Sequence, residues 1–404
     1  MACGGAGWSS LPADLLLAVF ALLPSDADRV RFRAVCAAWG AAAAAWRPRP
    51  WLVGSRTDRS GRGGGAVSSF WLSPSAAGGA LLPFAANVPV GLEYLSSSRG
   101  YLALADPSAA SPRAIVLANP VTGRRVRLPP IGFFKRWVDV TTVVLSADPA
   151  AAAEWEAVAV GFPTTCLAYY SSATGDWARL DYTAPGYAGV EHYGGRFYVA
   201  FRSQICVVEV VGGDTPAVIP LERADDDAGG GDGEGSDDEK PLLPGGGRRV
   251  VETHLVKFGA DLLLVSVLDD VVYNSDDDMG GLAVDGDGCG KGGGVGDARA
   301  VEVYRVEWLW GGAVRLARVE DLGWNALFLG RNGAFALPAA EFPACRVNCV
   351  YLVDRQGHPD GVVRVLDMET QWTCCEETIR PEDGSRGSAS SAGWARRGWF
   401  FPNY

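Results

Sequence analysis

The sequence predicts a mainly β protein, a β-propeller of about six blades preceded by a small module of three helices. Two observations predict this fold class. After Pro50, short runs rich in Val, Ile, Tyr, Phe and Trp alternate with Gly, Pro, Asn and Asp, which is the pattern of strands and turns. Before Pro50, apolar residues recur at helical spacing over about 40 residues.

The first helical segment, "LPADLLLAVFALLP", carries two adjacent apolar stripes. One stripe is Leu15, Val19 and Leu22, and the other is Leu16, Phe20 and Leu23. A helix that is apolar around most of its girth must be covered on more than one side. Two or three short helices are too small to bury such a surface by themselves. Either the rest of the chain or a partner protein therefore covers it, and periodicity alone leaves both alternatives open.

The same apolar segment is too short for a membrane span, which needs about 20 residues, and it contains Asp14. Residues 1–10 carry no base, so the basic start of a signal peptide is missing. We therefore expect no targeting or membrane-spanning segment. Residues 1–7 are predicted to be a disordered tail.

The segment "LPADLLLAVFALLPSDADRVRFRAVCAAW" resembles the F-box, with two Leu-Pro pairs, an Arg-rich middle and the motif Val-Cys-x-x-Trp. The resemblance places an F-box at residues 8–48. It implies three helices that dock on the Skp1 subunit of a cullin–RING ubiquitin ligase. Two positions depart from the common pattern: Ala18 replaces a frequent Glu, and Gly40 a frequent Arg. The docking residues implied by the resemblance are Leu11, Pro12, Leu15, Leu16, Phe20, Leu23, Pro24, Val35, Cys36 and Trp39.

The strand-rich region repeats one local pattern, a pair of strands joined by a short turn, about every 40–50 residues. Such a repeat favours propeller blades, each of which buries its faces against its neighbours. A sandwich of two sheets is the alternative. The predicted turns lie at Gly78-Gly79, Thr122-Gly123, Thr174-Gly175, Gly212-Gly213, Gly311-Gly312 and Glu369-Thr370.

Three segments of this region resemble the plant KIB-type β-propeller domain, which commonly follows an F-box. They are "ANPVTGRRVRLPP", "EHYGGRFYVAF" and "LGWNALFLGRNGAFALPAAEFPACRVNCVYLVD". The resemblance extends over most of the region assigned to the propeller, residues 49–404. It supports the propeller fold and brings no catalytic residues with it.

Two Gly/Asp-rich inserts, about residues 223–248 and 274–298, interrupt the propeller sequence. They contain too few apolar residues to form a core, so we expect disordered loops. Much of the net charge of −11 is concentrated in and near them, which leaves the rest of the chain close to neutral. Because no Lys/Arg stripe stands out, we expect no nucleic-acid partner. Because the apolar runs are too short to span a bilayer, we expect no membrane partner either.

The search for chemistry in the sequence yields no catalytic residue, no metal site and no cofactor site. "DGDGCGKGGG" fails both the calcium-loop and the phosphate-loop templates. The three histidines and nine cysteines show no metal-ligand spacing. The tryptophans at predicted hairpin ends are expected to pack between blades, and the alternative is that some of them face the central opening as a recognition surface. These tryptophans are Trp177, Trp308, Trp310 and Trp372.

We therefore predict an adaptor whose helices dock on a Skp1-like protein and whose propeller holds an unidentified target protein. Catalysis would come from other ligase subunits. Scattered cysteines without a disulfide pattern suit the cytoplasm or the nucleus. Two alternatives remain: an interaction scaffold outside a ligase, and an enzyme whose site would appear as convergent polar side chains at one end of the propeller channel.

Overall fold

The structure of the protein is a computed structural model. It describes residues 7–23, 26–46, 50–56, 67–72, 83–84, 92–106, 113–135, 137–185, 189–201, 204–211, 215–224, 249–269, 299–330, 333–342, 345–354, 362–370, 373–377 and 394–402. The predicted tail, apart from Gly7, and almost all of the two predicted inserts lie outside these residues.

The N-terminal module consists of one 3-10 turn and three short α-helices. Helix α1 begins directly after Pro12, and Asp14 in its first turn suits the positive end of the helix dipole. The alanine-rich sequence of the third helix favours helix by propensity. The turn is Trp8–Ser10, and the helices are α1 (Ala13–Leu22), α2 (Asp26–Arg33) and α3 (Ala37–Ala42).

Four sheets are regular antiparallel units whose four strands follow each other in chain order from the inside of the ring to the outside. Sheet 2 contains β4 (Glu93–Ser98), β5 (Tyr101–Ala105), β6 (Ile115–Ala118) and β7 (Arg125–Leu128). Sheet 3 contains β8 (Asp139–Leu145), β9 (Glu156–Phe162), β10 (Thr164–Ser171) and β11 (Asp176–Pro185). Sheet 4 contains β12 (Gly189–Tyr193), β13 (Arg196–Ala200), β14 (Ile205–Val211) and β15 (Thr215–Pro220). Sheet 5 contains β16 (Arg249–Phe258), β17 (Asp261–Asp269), β18 (Arg299–Trp308) and β19 (Val314–Val319).

Sheet 1 joins the two ends of the propeller sequence. The last strand lies innermost and pairs with the first, so that Trp51 is opposite Phe400. This pairing closes the ring, because sheet 1 otherwise has only strands from the start of the region. Its strands are β1 (Trp51–Arg56), β2 (Val67–Leu72), β3 (Pro83–Phe84) and β25 (Trp394–Phe400).

Sheet 6 is irregular, with five strands in the order β21-β20-β22-β23-β24 and a parallel pair between β20 and β22. Its innermost strand contacts the inner strands of sheets 1, 2 and 5 and therefore reaches into the centre of the ring. The strands are β20 (Ala326–Gly330), β21 (Gly333–Leu337), β22 (Cys349–Asp354), β23 (Val362–Asp367) and β24 (Thr373–Glu377).

The predicted mainly β propeller behind three helices is confirmed. Each sheet contacts the next through its inner strands, and sheet 6 returns to sheet 1, so the two-sheet sandwich is wrong. Where the sequence predicted about six blades, the described residues form five four-stranded sheets and one irregular sheet. Each predicted hairpin joins the two outermost strands of a different sheet, although the turns at Gly78-Gly79 and Gly212-Gly213 lie outside the described residues.

Apolar clusters fill the spaces between neighbouring sheets, and Tyr101, Trp155 and Trp177 lie in the one between sheets 2 and 3. Among the described residues after β21, Ala339–Glu341 form a single 3-10 turn. No helix in the described ranges has both the length and the apolar character needed to cross a membrane.

Candidate protein-docking site

Helix α1 turns one of its two apolar stripes toward the other helices. Leu16 and Phe20 are buried with Phe32 of α2 and with Ala43. The Phe20 ring meets the rings of Phe32 and Trp46 edge-on, with centroids 5.3 and 5.6 Å apart. This small aromatic core holds the three helices together.

The second stripe of α1 remains open to solvent. Leu15, Val19 and Leu22 are 49%, 39% and 83% exposed, and within the described part of the chain no segment covers them. Contiguous exposed apolar side chains on a folded protein mark an interaction surface. The other large exposed apolar side chains of the module are Trp8, Leu17 and Val35.

The structure divides the docking residues implied by the F-box resemblance into three groups. Pro12, Leu15 and Val35 are exposed, which agrees with a docking role. Leu16 and Phe20 are buried in the core of the module, and their docking role stays a prediction. Leu11, Leu23, Cys36 and Trp39 are half-buried, and Pro24 lies outside the described residues.

Four large apolar residues that are exposed on the module were absent from the implied set: Trp8, Leu17, Val19 and Leu22. Val19 and Leu22 belong to the same stripe as Leu15, so the helical spacing contained the signal that would have found them. The backbone carbonyl of Trp8 accepts a hydrogen bond of 3.0 Å from the Trp39 indole Nε1, which ties the start of the module to α3.

The two departures from the F-box pattern have different surroundings. Ala18 is exposed on α1 and takes up little room near Leu15 and Leu22. Gly40 lies in α3, where a Cβ atom would come within 3.1 Å of the Arg33 carbonyl oxygen. Gly40 therefore permits a close approach of α3 to the end of α2.

Helix α2 joins the module to the propeller through a shared core. Val30 is fully buried in the cluster that contains Trp51, Leu102 and Phe400, side chains of sheets 1 and 2. The Arg33 Nη1 atom donates a 2.7 Å hydrogen bond to the carbonyl of Trp46, just before the propeller begins. The module is thus packed onto the propeller, and its exposed stripe keeps a defined orientation relative to the sheets.

The Arg99 side chain links neighbouring sheets at the inner edge of the ring. Arg99 follows β4 in a tight turn and has φ of 50°, an uncommon value for a residue with a side chain. Its Nη2 atom lies 3.3 Å from the His192 carbonyl oxygen and 3.4 Å from His192 Nδ1. The Nε atom reaches the Leu145 carbonyl at 3.4 Å. Arg99 therefore connects sheets 2, 3 and 4 at one end of the channel.

Glu191, His192 and Lys257 complete a polar cluster around Arg99. Burial raises the pKa of the Glu191 carboxyl to about 7, although Arg99 and Lys257 oppose this shift. Burial, followed by the charges of Arg99 and Lys257, lowers the pKa of His192 to about 4. A Glu191 oxygen also accepts a 3.0 Å hydrogen bond from the His192 backbone. The enzyme hypothesis predicted convergent polar groups at this place, but these groups bind one another and the backbone.

The remaining sequence expectations concern metals and tryptophans. Across the described ranges, no group of three or more His, Cys, Asp or Glu side chains could hold a metal ion.

Trp177 packs between sheets as expected, and its Nε1 donates a 2.8 Å hydrogen bond to the Pro129 carbonyl. Trp308 of sheet 5 is partly exposed, and its ring packs against Tyr193 and Tyr198 of sheet 4 with centroids 6.5 and 5.2 Å apart, as packing between blades predicts. Trp310 is exposed, so packing between blades does not explain it. Trp372 lies outside the described residues.

These features define a two-part protein, a small helical module with an uncovered apolar face packed onto a β-propeller. The chain belongs to the KIB1-4 beta-propeller family, whose model matches residues 76–372, and residues 8–47 match the F-box-like model. No curated protein gives a significant match. An F-box combined with a propeller is, in general, the architecture of a non-catalytic adaptor that recognises substrates for a ubiquitin ligase.

Proposed function

We propose that this protein is the substrate-recognition adaptor of a Skp1–cullin–F-box ubiquitin ligase in the cytoplasm or the nucleus. Residues 8–48 dock on a Skp1-like subunit, and residues 49–404 bind a target protein. The open stripe of Leu15, Val19 and Leu22 carries the proposal, because the rest of the described chain leaves it uncovered.

The packing between module and propeller supports this division of labour. Because Val30 is buried among propeller side chains, a target held by the sheets is kept at a fixed position relative to the docked subunit. Holding two reactants close together lowers the entropic cost of their reaction. An adaptor of this kind needs no reactive residue of its own, since the ligase subunits supply the chemistry.

The test is capture of a purified Skp1-like protein by the full chain. The variant Leu15→Asp/Leu22→Lys places an acid near the start of α1 and a base near its end, which suits the helix dipole. Changes at exposed positions alter stability by only about 0.5 kcal/mol, so the variant should stay folded. We expect capture to fall at least about tenfold, corresponding to about 1.4 kcal/mol.

The matched control is Val210→Asp, which charges an equally exposed apolar residue on sheet 4 and should leave capture unchanged. Leu16→Asp is unsuitable, because a charge at that buried position would unfold the module. Equal capture by the wild type and the double variant, or no capture by either, would contradict the docking model.

The scaffold alternative accepts Skp1 binding but predicts that no cullin subunit co-purifies with the complex. The enzyme alternative is favoured by one observation, the pKa of about 7 that burial gives Glu191, which suits a general acid or base. We rank it below the adaptor function because Glu191, His192 and Arg99 are bound to each other and to the backbone.

A further inference from the structure

A cavity opens between sheet 3 and the segment that leads into it from sheet 2. This segment, residues 129–135 and 137–138 among those described, lies between the end of β7 and the start of β8. Phe134 and Val138 anchor it in the core between the two sheets. Trp137, between these anchors, remains 53% exposed beside the opening.

The cavity has a volume of about 160 Å³. A dry protein cavity of about 150 Å³ is large enough to bind benzene, so this one has room for one large apolar side chain. Its walls are mainly apolar, formed by Phe133, Phe134, Val138, Leu167, Leu180 and Tyr182.

The rim of the cavity is positively charged. Lys135 and Arg179 both line it, and the Lys135 ammonium lies 5.5 Å from the centroid of the Trp137 ring. Arg179 pairs with Asp181 at 3.1 Å, but both side chains are mostly exposed, and such a pair contributes little. A carboxylate of a bound segment can therefore compete for Arg179 and also meet Lys135.

We propose that this cavity binds an acidic segment of the target protein that presents one large apolar side chain. The apolar side chain enters the cavity, its flanking carboxylates lie against Lys135 and Arg179, and Trp137 packs on the segment. Tryptophan and arginine at the edge of an apolar pocket are the residues that dominate protein interfaces. The inference rests on the proposed target-binding role of the propeller and specifies the chemistry of the target.

The test uses a fluorescein-labelled peptide, Gly-Asp-Glu-Phe-Asp-Glu-Gly, with fluorescence anisotropy measured on the full chain. Two matched peptides replace the Phe by Ser or the four acids by Lys. We expect saturable binding of the first peptide only. The double variant Lys135→Glu/Arg179→Glu should weaken it at least about tenfold, and Trp137→Ala about fivefold, in line with the effects of interface anchors.

The control variant is Arg196→Glu/Arg305→Glu, which reverses two exposed arginines that also pair with acids, on sheets 4 and 5. It should change the peptide affinity less than about twofold, as expected for charges remote from the binding site. The proposal is overturned if the Lys135→Glu/Arg179→Glu variant binds the peptide as tightly as the wild type does. It is also overturned if the Ser peptide binds as tightly as the Phe peptide, or if no binding is saturable. Binding that appears only after the acids of residues 225–239 are replaced assigns the cavity to the chain's own segment and also overturns it.

Capture of the Skp1-like protein by the same variants keeps the two proposals apart. The Lys135→Glu/Arg179→Glu variant should bind Skp1 as the wild type does, because the cavity lies on sheet 3 and the docking stripe on α1. Failed Skp1 capture with intact peptide binding would reject the ligase role and leave the cavity assignment standing.

Discussion

Two regions of the molecule reverse the usual placement of side chains, in opposite ways. Helix α1 leaves Leu15, Val19 and Leu22 in solvent, whereas the boundary between sheets 5 and 6 buries Arg299 and Arg364 with Asp354. In the buried region, one Asp354 oxygen accepts hydrogen bonds from Arg299 Nε at 3.0 Å and from Arg364 Nε at 2.9 Å.

The difference between these regions lies in whether the chain supplies the compensating partner. Each buried arginine has a carboxylate from this chain, and Arg299 also hydrogen-bonds Asp269, which ends the strand before the second insert. The apolar stripe of α1 has no such cover in the described residues. The ion network is satisfied by residues of this chain, whereas the cover for the stripe would come from the partner protein that we propose.

The largest effect should come from opening the buried network with Asp354→Ala. Removing the shared carboxylate leaves Arg299 and Arg364 in the interior without it, and breaking a buried pair costs about 3–5 kcal/mol. Urea unfolding measures the loss. The control Asp261→Ala removes an exposed partner of Arg305 and should cost under about 1 kcal/mol. Similar small losses in both variants would mean that the network does not stabilise the protein.

The second-largest effect tests whether the helical module and the propeller share one core. Val30→Ala removes two buried methyl groups from the junction, and full burial of a valine side chain is worth about 1.5–3 kcal/mol. We expect the free energy of unfolding, measured in urea, to fall by an amount approaching this value. Proteolysis between the module and the propeller should become faster. Val19→Ala, the same substitution on the open stripe, should change stability by less than about 0.5 kcal/mol. Equal effects at both positions would contradict the shared core.

The propeller was predictable where its signals are local. Gly123 and Gly175 have φ of 73°, and such turns favour glycine, so the sequence marks the outer hairpins of sheets 2 and 3. The innermost strand of sheet 4, "GVEHY", mixes polar and apolar residues without alternation, so it gives no clear strand pattern. The extra strand β21 was also missed, since its position depends on three distant sheets.

The candidate site was predictable only in part, for a different reason. The two stripes of α1 are equally apolar, and only packing with Phe32 and Trp46 decides that Leu16 faces inward and Leu15 outward. The burial of Val30 depends on Phe400, at the other end of the chain. Arg99 lies in an ordinary turn of the sequence, and only the closed ring brings it to His192.

The smallest effect, and the one that depends on pH, concerns the Arg99 cluster, a second case of polar groups satisfied within the chain. The pKa of Glu191 rises from 4.5 to about 7 on folding, so the folded protein binds an extra proton between these values. Stability must then fall as pH rises from about 4.5 to 7. Glu191→Gln removes this titration. The free energy of unfolding of this variant, taken relative to that of the wild type, should increase by about 1–2 kcal/mol between pH 5 and pH 8. This increase is smaller than the full pKa shift implies, because the residue is partly accessible.

His192→Gln provides the opposite control within the same cluster. The pKa of His192 falls from 6.5 to about 4 on folding, so the unfolded chain binds the extra proton in that range, and the wild type loses stability as pH falls below 6.5. The stability of His192→Gln relative to the wild type should therefore increase toward acid pH, whereas the relative stability of Glu191→Gln should increase toward alkaline pH. Thermal unfolding from pH 4.5 to 8 separates the two. If stability changed with pH in the same way in both variants, neither group would be held by the cluster in its buried state, and the cluster would differ in this from the network around Asp354.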